Sequence, residues 1–365
     1  MSTPKTITLA SARFEAARHV GLLPEGHRCR SLHGHSFIAT VYADLPTNFA
    51  QFPGGEVDAL RERLEKCVAQ LDYSYLNDTV EQPTDENLAL WVARTLQLPG
   101  NDRVAIQSTA TQGVDLDCDN NVHVWRRFRF QAAHQLPNVP PGHKCGRMHG
   151  HGFEVILHAN QNLRSKSLSI DYDYLEEIWA PLHEQLNYRC LNEIEGLNNP
   201  TSENLAAWIW VRAKPLLHEL SWVTIFETGF CGANFDGKNY RIWKEFILDS
   251  AVRLSRAPDN NPRARTHGHS YTLRLHLDAP LDTVKGWTID FGDVKAIFDP
   301  IFKSLDHHPL YELSGLSDCD AASVAGWVFS HAKPQLPSLY RVDLHETLGN
   351  GCAVTELDGG PVMPV

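Results

Sequence analysis

The chain has 365 residues, a formal net charge of −11 and 42% hydrophobic residues. This length and apolar content can fill more than one hydrophobic core. The acidic balance argues against a nucleic-acid or acidic-membrane surface, although it leaves room for a local basic pocket that takes a small anion. No apolar run has the length of a transmembrane helix, the N-terminus lacks an apolar signal core, and the eight cysteines show no disulfide spacing, so we expect a reducing cytoplasm.

The tripeptide His-Gly-His occurs three times, starting at His33, His149 and His267, at nearly equal intervals. Such regularity indicates one module written three times. We therefore predict three domains, which we call copy one (residues 1–117), copy two (118–237) and copy three (238–365).

Each copy shows the same predicted elements in chain order. An aromatic strand comes first, and a second, alternating strand follows His-Gly-His, at residues 153–157 in copy two and 271–275 in copy three. Asp171 and Asp290 then precede apolar helical patterns and are typical N-caps. A second helix and a closing strand complete the unit, with a short last strand after it. This order predicts an α+β fold with two helices on one face of an antiparallel sheet.

Less regular segments complete the chain. The polar stretches at residues 111–121 and 236–239 are candidate linkers, and the tail after about Ala353 has the composition of an unstructured segment.

Copy two carries a candidate metal site. His149 and His151 are two positions apart on a predicted strand and so point to one face. His134, on the neighbouring strand, can supply a third nitrogen. Three imidazoles that leave one position open describe a catalytic zinc site, and we expect one Zn²⁺ per chain. Cys145 can be a fourth ligand or a reactive thiol, and the alternative for the histidines is a set of ordinary hydrogen-bonded imidazoles.

Copies one and three have lost parts of this set. Arg18 stands where copy two has His134, although His19 is adjacent and Cys29 is kept. In copy three, Val252 replaces the first histidine and Arg263 replaces the cysteine. A permanent guanidinium repels a cation, so we expect zinc in neither copy.

Copy three instead carries Asp306-His307, which follows a predicted helix. An aspartate beside a histidine can orient the imidazole for proton transfer, although the pair can equally be a helix-ending turn. Glu227 and Glu346 occupy matching places on the closing strands, where a carboxylate can accept two N–H bonds from an amino-pyrimidinone ring or simply face solvent.

Several of these motifs together resemble a known family. The segment from Val139 to His151, with three residues between Cys145 and His149, resembles the signature of the 6-pyruvoyl-tetrahydropterin synthase superfamily and its 6-carboxytetrahydropterin synthase branch. Residues 286–291, 305–308 and 200–204 also resemble that branch. The resemblance covers nearly the whole chain, in three copies.

The resemblance implies the tunnelling fold (T-fold), in which three four-stranded sheets join into one barrel and two rings often stack. The chain would then be a covalent pseudo-trimer, and a homodimer would form a pseudo-hexamer. The resemblance also implies that His134, His149 and His151 bind zinc, that Cys145 accepts a proton and that a glutamate anchors the pterin. Asp306 and His307 would be the proton relay from the neighbouring copy. Only copies two and three together offer every part, so we expect one composite site per chain.

Two glutamates compete for the anchoring role, and Glu227 is favoured because it belongs to the zinc copy. Thr201 and Glu203 accompany the zinc copy as well, and we interpret them as a ligand wall or as helix caps. The implied reaction converts 7,8-dihydroneopterin triphosphate to 6-carboxytetrahydropterin, acetaldehyde and triphosphate, for queuosine synthesis, with the metal as Lewis acid. The alternatives are a 6-pyruvoyl-tetrahydropterin synthase activity and a non-catalytic pterin- or zinc-binding module.

Overall fold

The structure, a computed structural model, describes residues 3–98, 103–162, 170–316, 318–357, 360–361 and 364. Within these ranges, none of the helices is long and apolar enough to span a membrane.

The three copies share one order of elements. Copy one contains β1 (Lys5–Arg18), β2 (His33–Ala43), α1 (Glu56–Val68), β3 (Ser74–Tyr75), α2 (Asp85–Leu96), β4 (Arg103–Thr109) and β5 (Gln112–Leu116). Copy two contains β6 (Asn121–His134), β7 (His149–Asn162), α3 (Tyr172–Leu186), β8 (Arg189–Cys190), α4 (Ser202–Ala213), β9 (Leu220–Thr228) and β10 (Cys231–Phe235). Copy three contains β11 (Tyr240–Val252), β12 (His267–Asp278), α5 (Phe291–Leu305), α6 (Ala321–Ala332), β13 (Leu339–Thr347) and β14 (Asn350–Thr355). The predicted order of elements is confirmed, with the two-residue strands β3 and β8 in addition.

Twelve long strands form one antiparallel sheet that closes on itself. The order is β1-β2-β4-β5-β6-β7-β9-β10-β11-β12-β13-β14, and β14 pairs with β1 from Lys5↔Thr355 to Leu9↔Gly351. The copies are joined in the same way at β5–β6 and β10–β11. Because all three junctions are strand pairs, the sheet has no open edge along the ring. The predicted pseudo-trimeric barrel of T-fold units is confirmed.

Two predicted irregular segments are strands. β5 lies in the stretch predicted as a linker, and β14 extends two residues past Ala353. β5 pairs with both β4 and β6, and its Val114 and Leu116 are buried. Its five residues include Gln, Gly and Asp and show no clear alternation, so the strand is specified by its two neighbours rather than by its own pattern.

The helices are fixed on the sheet by caps and by apolar packing. Asp171 and Asp290 accept backbone N–H bonds at the starts of α3 and α5, which confirms the predicted N-caps. Thr84, Thr201 and Asp320 do the same for α2, α4 and α6. Leucine, phenylalanine and valine side chains of helices and strands then pack together as the core. This packing places the start of α4 beside the end of β6, where His134 lies.

Candidate functional site

The three predicted ligands of copy two meet at one end of β6 and β7. His134 lies opposite His149 in the strand ladder, and His151 lies opposite Ala132 on the same face. The candidate ligand atoms of His134, His149 and His151 are all within 4.8 Å of one another, the only such group in the part of the chain that the structure describes. The strand alternation therefore places the three rings as the sequence predicts.

Backbone carbonyls orient the rings of His134 and His149. His134 Nδ1 lies 2.9 Å from the Pro200 carbonyl oxygen, and His149 Nδ1 lies 2.8 Å from that of Arg147. A carbonyl only accepts, so each Nδ1 carries the proton and each Nε2 has a free lone pair. The Nε2 atoms of His134 and His151 are buried and have no hydrogen-bond partner among the described residues. Such an arrangement, with the second nitrogen held by an outer partner, is that of metal-ligating histidines.

Burial also lowers the pKa of His134 and of His151, the nearby Glu227 carboxylate only partly opposing it. Both imidazoles are therefore neutral at neutral pH, which is the form that binds a metal. Three imidazole nitrogens with room for a further ligand fit zinc in a catalytic geometry.

Cys145 and Glu227 lie around this trio. Cys145 belongs to the short helical turn Lys144–Gly146, which His143 caps by accepting the Cys145 N–H at 3.2 Å. Burial, and then the charge of Glu227, raise the pKa of the Cys145 thiol. Glu227 accepts a hydrogen bond from Ser202 Oγ at 2.7 Å, and its other oxygen lies 3.7 Å from His151 Nε2. The thiol is thus protonated until a cation nearby lowers its pKa.

A loop of copy three closes over copy two. Thr201 Oγ1 donates to the Gly286 carbonyl at 2.5 Å, while also capping α4. The Glu203 carboxylate accepts the Thr288 N–H at 2.8 Å and the Thr288 hydroxyl at 3.1 Å. Burial raises the pKa of Glu203 to about 7. In the structure, the two residues predicted as a ligand wall therefore hold the neighbouring copy in place.

Gly286 is the tightest point of this contact, and replacing it with alanine should destabilise the protein by about 1–3 kcal/mol. Its φ is +76°, and a Cβ there would lie 2.5 Å from the side-chain nitrogens of Asn199 and Asn204. Urea unfolding of Gly286→Ala measures the loss. The matched control is Gly326→Ala in α6, where nothing lies within 4 Å of an added Cβ and a gain of roughly 0.5–1 kcal/mol is expected. Equal unfolding free energies for the two variants would contradict the assigned contact.

Asp306 and His307 lie at the C-terminal end of α5, whereas the N-terminal end of that helix meets copy two. There Asp290 Oδ2 lies 3.6 Å from His143 Nε2, beside the Cys145 turn. α5 has 15 residues and is about 22 Å long, so the two ends are well separated. Among the described contacts, no hydrogen bond or ion pair joins His307 to Cys145 or to the histidine trio.

The Asp306-His307 turn recurs in every copy. Asp72, Asn187 and Asp306 each accept a strand N–H through Oδ1, at 2.8, 2.9 and 3.1 Å. The residue that follows each of them has a positive φ, and for His307 it is 57°. Only in copy three is the second residue a histidine, whose Nδ1 lies 2.9 Å from Asp306 Oδ2. The turn therefore has the same structural role in all three copies. In copy three the turn also carries the imidazole of His307.

In copy three the metal set is replaced by an ion-pair cluster. Arg263 donates to both oxygens of Glu346, at 3.0 and 2.7 Å, and also pairs with Asp58 of copy one. Burial alone would lower the pKa of Arg263, but these carboxylates raise it above its usual value. Glu346 is therefore held by Arg263, which leaves Glu227 as the better candidate anchor.

In copy one an arginine–aspartate pair takes the same place. Arg18 Nη1 donates to Asp85 Oδ1 at 2.7 Å and to the Pro83 carbonyl at 2.8 Å, and both side chains are buried. The other oxygen of Asp85 accepts the hydroxyls of Ser108 and Tyr172, both at 2.6 Å. In copy one the strand β4 supplies the hydroxyl (Ser108) and the helix α2 supplies the carboxylate (Asp85). In copy two the strand β9 supplies the carboxylate (Glu227) and the helix α4 supplies the hydroxyl (Ser202).

The sequence does not reveal the contact between Asp290 and His143, because it indicates only the N-cap role of Asp290. Aligning the copies gives a usable signal: His27, His143 and Asn261 each cap the short turn before His-Gly-His. In copy one, His27 Nε2 likewise lies 3.1 Å from Asp173 of the next copy. In each copy, this turn therefore contacts the first residues of a helix of the next copy around the ring, and for copy three the next copy is copy one.

Comparison with known proteins identifies this arrangement. A model of the 6-pyruvoyl tetrahydropterin synthase family matches the chain three times, over residues 6–112, 123–238 and 241–356. The chain belongs to this family. The second and third matches each take in four strands and two helices, and the first takes in β1, β2, β4 and two helices and ends where β5 begins, so the chain is a three-copy fusion of the 6-pyruvoyl tetrahydropterin synthase unit.

Relatives in the family have about the length of one copy. The chain is 34% identical to the 6-carboxy-5,6,7,8-tetrahydropterin synthase of Synechocystis sp. over 122 residues, which are 31% of this chain and 91% of the relative. It is 29% identical to the dihydroneopterin monophosphate aldolase of Pyrococcus furiosus over 113 residues, 29% of this chain and 92% of that protein. Among solved structures, the 6-pyruvoyl tetrahydropterin synthase of Caenorhabditis elegans is similar with a TM-score of 0.28 and 23% identity, covering 30% of this chain and 90% of that chain.

Proposed function

We propose that the protein is a zinc-dependent 6-carboxy-5,6,7,8-tetrahydropterin synthase, a carbon–carbon lyase of queuosine and 7-deazaguanine biosynthesis. Its substrate would be 7,8-dihydroneopterin triphosphate, and its products 6-carboxytetrahydropterin, acetaldehyde and triphosphate. The observation that carries the proposal is the convergence of His134, His149 and His151 in copy two, the only such group among the described residues, with Cys145 and Glu227 nearby. The name of the Synechocystis relative supports the choice of branch.

The residues of copy two have distinct roles in this proposal. The three histidines would hold one Zn²⁺, which when bound polarises oxygens of the substrate side chain and so acidifies the adjacent C–H groups. Glu227 would accept N–H bonds of the pterin ring, since Ser202 fixes one of its oxygens and the other lies towards His151. Its partly buried position, 13% exposed, strengthens such bonds by excluding water.

Proton transfer falls to Cys145 and to the Asp306-His307 pair. Cys145 would remove a proton from the substrate carbon, and His307 would pass it on, with Asp306 holding the imidazole by its Nδ1. The His307 side chain is 77% exposed, so it is accessible to a second chain in a stacked ring. We propose a homodimer in which two pseudo-trimers form a pseudo-hexamer.

Mixing two inactive variants tests where the relay acts. If His307 serves Cys145 of a second chain, Cys145→Ala chains mixed with His307→Ala chains recover part of the activity, because some sites contain both intact groups. If the pair serves its own chain, the mixture stays inactive. Native mass spectrometry of the same samples verifies that mixed dimers formed, because the two variant chains differ in mass.

Product analysis tests the function itself. Zinc-loaded protein is incubated with 7,8-dihydroneopterin triphosphate and the pterins are resolved by mass. We expect 6-carboxytetrahydropterin together with acetaldehyde. Cys145→Ala should abolish product, whereas Cys29→Ala, the matched change in copy one, should leave it. A 6-pyruvoyl product would move the protein to the other branch, and intact substrate with zinc bound would favour a non-catalytic pterin-binding module.

Removing the charge of Asp306 should shift the pH profile of turnover. Partial burial opposes ionisation of Asp306, but hydrogen bonds hold its pKa below the usual value, and in return Asp306 raises the pKa of His307. In Asp306→Asn the pKa of His307 falls, so the limb of the kcat/KM profile that His307 governs should move to lower pH. Asn187 shows that an asparagine keeps the turn, since its Oδ1 accepts the Gln131 N–H. An unshifted profile would mean that His307 takes no part in the rate-limiting proton transfer.

A further inference from the structure

Cys145 lies in the segment of residues 135–148 that joins β6 to β7, which we call the Cys145 loop. The Leu136 N–H donates to the Cys145 carbonyl at 2.8 Å and closes the segment on itself. The Cys145 N–H donates in turn to His143 Nδ1 at 3.2 Å. The backbone of Cys145 is thus bonded through both its polar groups, and the side chain of His143 makes one of the two bonds.

These bonds determine which nitrogen of His143 carries the proton. Nδ1 accepts the Cys145 N–H, so in the neutral ring the proton is on Nε2. This Nε2 lies 3.6 Å from Asp290 Oδ2 of copy three. The distance is too long for a good hydrogen bond, but it allows a favourable interaction between the N–H group and the carboxylate. Both ring nitrogens are therefore engaged, so His143 is suited to hold Cys145 and not to take its proton.

Asp290 is itself held at the start of α5. Its Oδ1 accepts the N–H groups of Gly292 at 2.6 Å and Asp293 at 3.3 Å, which leaves Oδ2 to face His143. The side chains of Asp290 and His143 are 18% and 25% exposed, so solvent screens their interaction only in part. The helix therefore presents a fixed negative charge to the imidazole.

Copy three contacts the Cys145 loop at a second point. Asn138 Nδ2 donates to the Val284 carbonyl at 2.6 Å. Val284 and Asp290 both belong to residues 279–290, the connection between β12 and α5. One connection of copy three thus holds the loop near its beginning and again next to the cysteine.

The capping residue differs among the copies together with the residue that it caps. The caps of copies one and two, His27 and His143, precede a cysteine by two residues, and each faces an aspartate of the next copy. In copy three the cap is Asn261, and Arg263 stands in the place of the cysteine. The imidazole is thus present where the thiol is present, as expected of a group that positions a thiol.

We infer that Asp290 of copy three and His143 of copy two are a pair of positioning residues that holds Cys145 beside the histidine trio. The catalytic consequence rests on the proposed function, in which Cys145 is the base, whereas the contact between the copies does not. Copy three then acts on the site of copy two within one chain, through the first turn of α5. His307, at the other end of that helix, is not needed for this role.

Asparagine variants test the pair because they keep both caps. Asn261 caps the corresponding turn of copy three, and asparagine is as good a helix N-cap as aspartate. In His143→Asn and in Asp290→Asn we expect kcat for pterin product at least roughly tenfold lower with KM nearly unchanged, because a misplaced base slows the chemical step and not binding. The double variant should be no slower than either single variant, since all three lose the same contact. The matched changes His27→Asn and Asp173→Asn in copy one should keep the wild-type kcat. Losses that multiply in the double variant, or a change confined to KM, would overturn the inference.

Hydrogen–deuterium exchange tests the contact without turnover. The peptide of residues 135–148 should exchange at least roughly fivefold faster in Asp290→Asn, while the peptide of residues 19–32 in copy one should be unchanged. Zinc content should equal that of the wild type, which excludes metal loss as the cause of a lower kcat. Unchanged exchange would refute the contact, and faster exchange with unchanged kcat would refute the positioning role. Absence of product from the wild-type chain would refute the proposed function, and exchange would still decide whether Asp290 holds the loop.

Discussion

Replacing His149 with alanine should remove bound zinc and reduce pterin product formation by on the order of a thousandfold or more, because a metal contributes several kcal/mol of charge stabilisation. His149 is one of three imidazoles whose ligand atoms lie within 4.8 Å, and its Nδ1 is held by the Arg147 carbonyl. Two remaining imidazoles would bind zinc weakly. Elemental analysis of the dialysed protein gives the zinc content, and mass analysis of pterins gives turnover.

The chain supplies its own control for this experiment. His267 has the same place in copy three, with Nδ1 2.8 Å from the Arg265 carbonyl, but its neighbours are Val252 and Arg263. His267→Ala should therefore leave zinc content and turnover at the wild-type values. Full zinc occupancy and full turnover in His149→Ala would contradict the assignment of the metal site to copy two.

Replacing Arg18 with methionine should lower the free energy of unfolding by about 3–5 kcal/mol, the usual cost of leaving one partner of a buried ion pair alone. The side chains of Arg18 and Asp85 are only 5% and 1% exposed. Without Arg18, the Asp85 carboxylate keeps two hydroxyl donors but faces no cation. Methionine fills a similar volume, so most of the loss comes from the uncompensated charge and not from a cavity.

Two variants make this stability measurement specific. Arg28→Met removes an exposed pair with Asp173, with side chains 69% and 38% exposed, and should cost less than about 1 kcal/mol. Arg18→Met/Asp85→Asn removes both charges and should regain part of the lost stability. Urea unfolding monitored by tryptophan fluorescence measures all of them. Equal losses in Arg18→Met and Arg28→Met would show that the buried pair contributes no more than a surface pair.

The position of His134 carries a different residue in each copy, and the side chains around it differ accordingly. Copy two has His134 there and a trio of neutral imidazoles, copy one has the Arg18–Asp85 pair, and copy three has Val252 with Arg263 bound to Glu346. The last of these pairs also reaches Asp58 of copy one. Charge pairs thus lie in copies one and three at the sites that correspond to the histidine trio, and the pair in copy three also joins that copy to copy one.

Much of the site could be predicted because its signals are local. His149 and His151 share a strand face by a spacing of two, and the comparison with copies one and three identified the intact set. The N-caps at Asp171 and Asp290 were predicted for the same reason, since a cap and its helix are neighbours in sequence. Charge and spacing also identified Arg18 and Arg263 as replacements in the degenerate copies.

The remaining features depend on residues far apart in the chain. Thr201 and Glu203 carry no sequence signal that they bind Gly286 and Thr288, because these partners are 85 residues away. Nor does the Asp306-His307 motif reveal that the opposite end of its helix meets the Cys145 turn. Copies one and two place the carboxylate and the hydroxyl of one hydrogen bond on opposite elements, Asp85 and Ser108 against Ser202 and Glu227. This difference can be recognised only when the contact between helix and strand is known.

The sequence by itself determined the number of copies, the order of their elements and the three histidines that converge in copy two, because repeats, periodicity and short spacings can be read directly from the sequence. Only the tertiary structure decided that β14 closes the ring on β1, that the unpatterned segment Gln112–Leu116 is a strand, and which helix end faces which site. These three features depend on strand pairing and side-chain packing between segments that are far apart in sequence. Such contacts stabilise the fold only after long loops have closed, and short sequence patterns do not encode them.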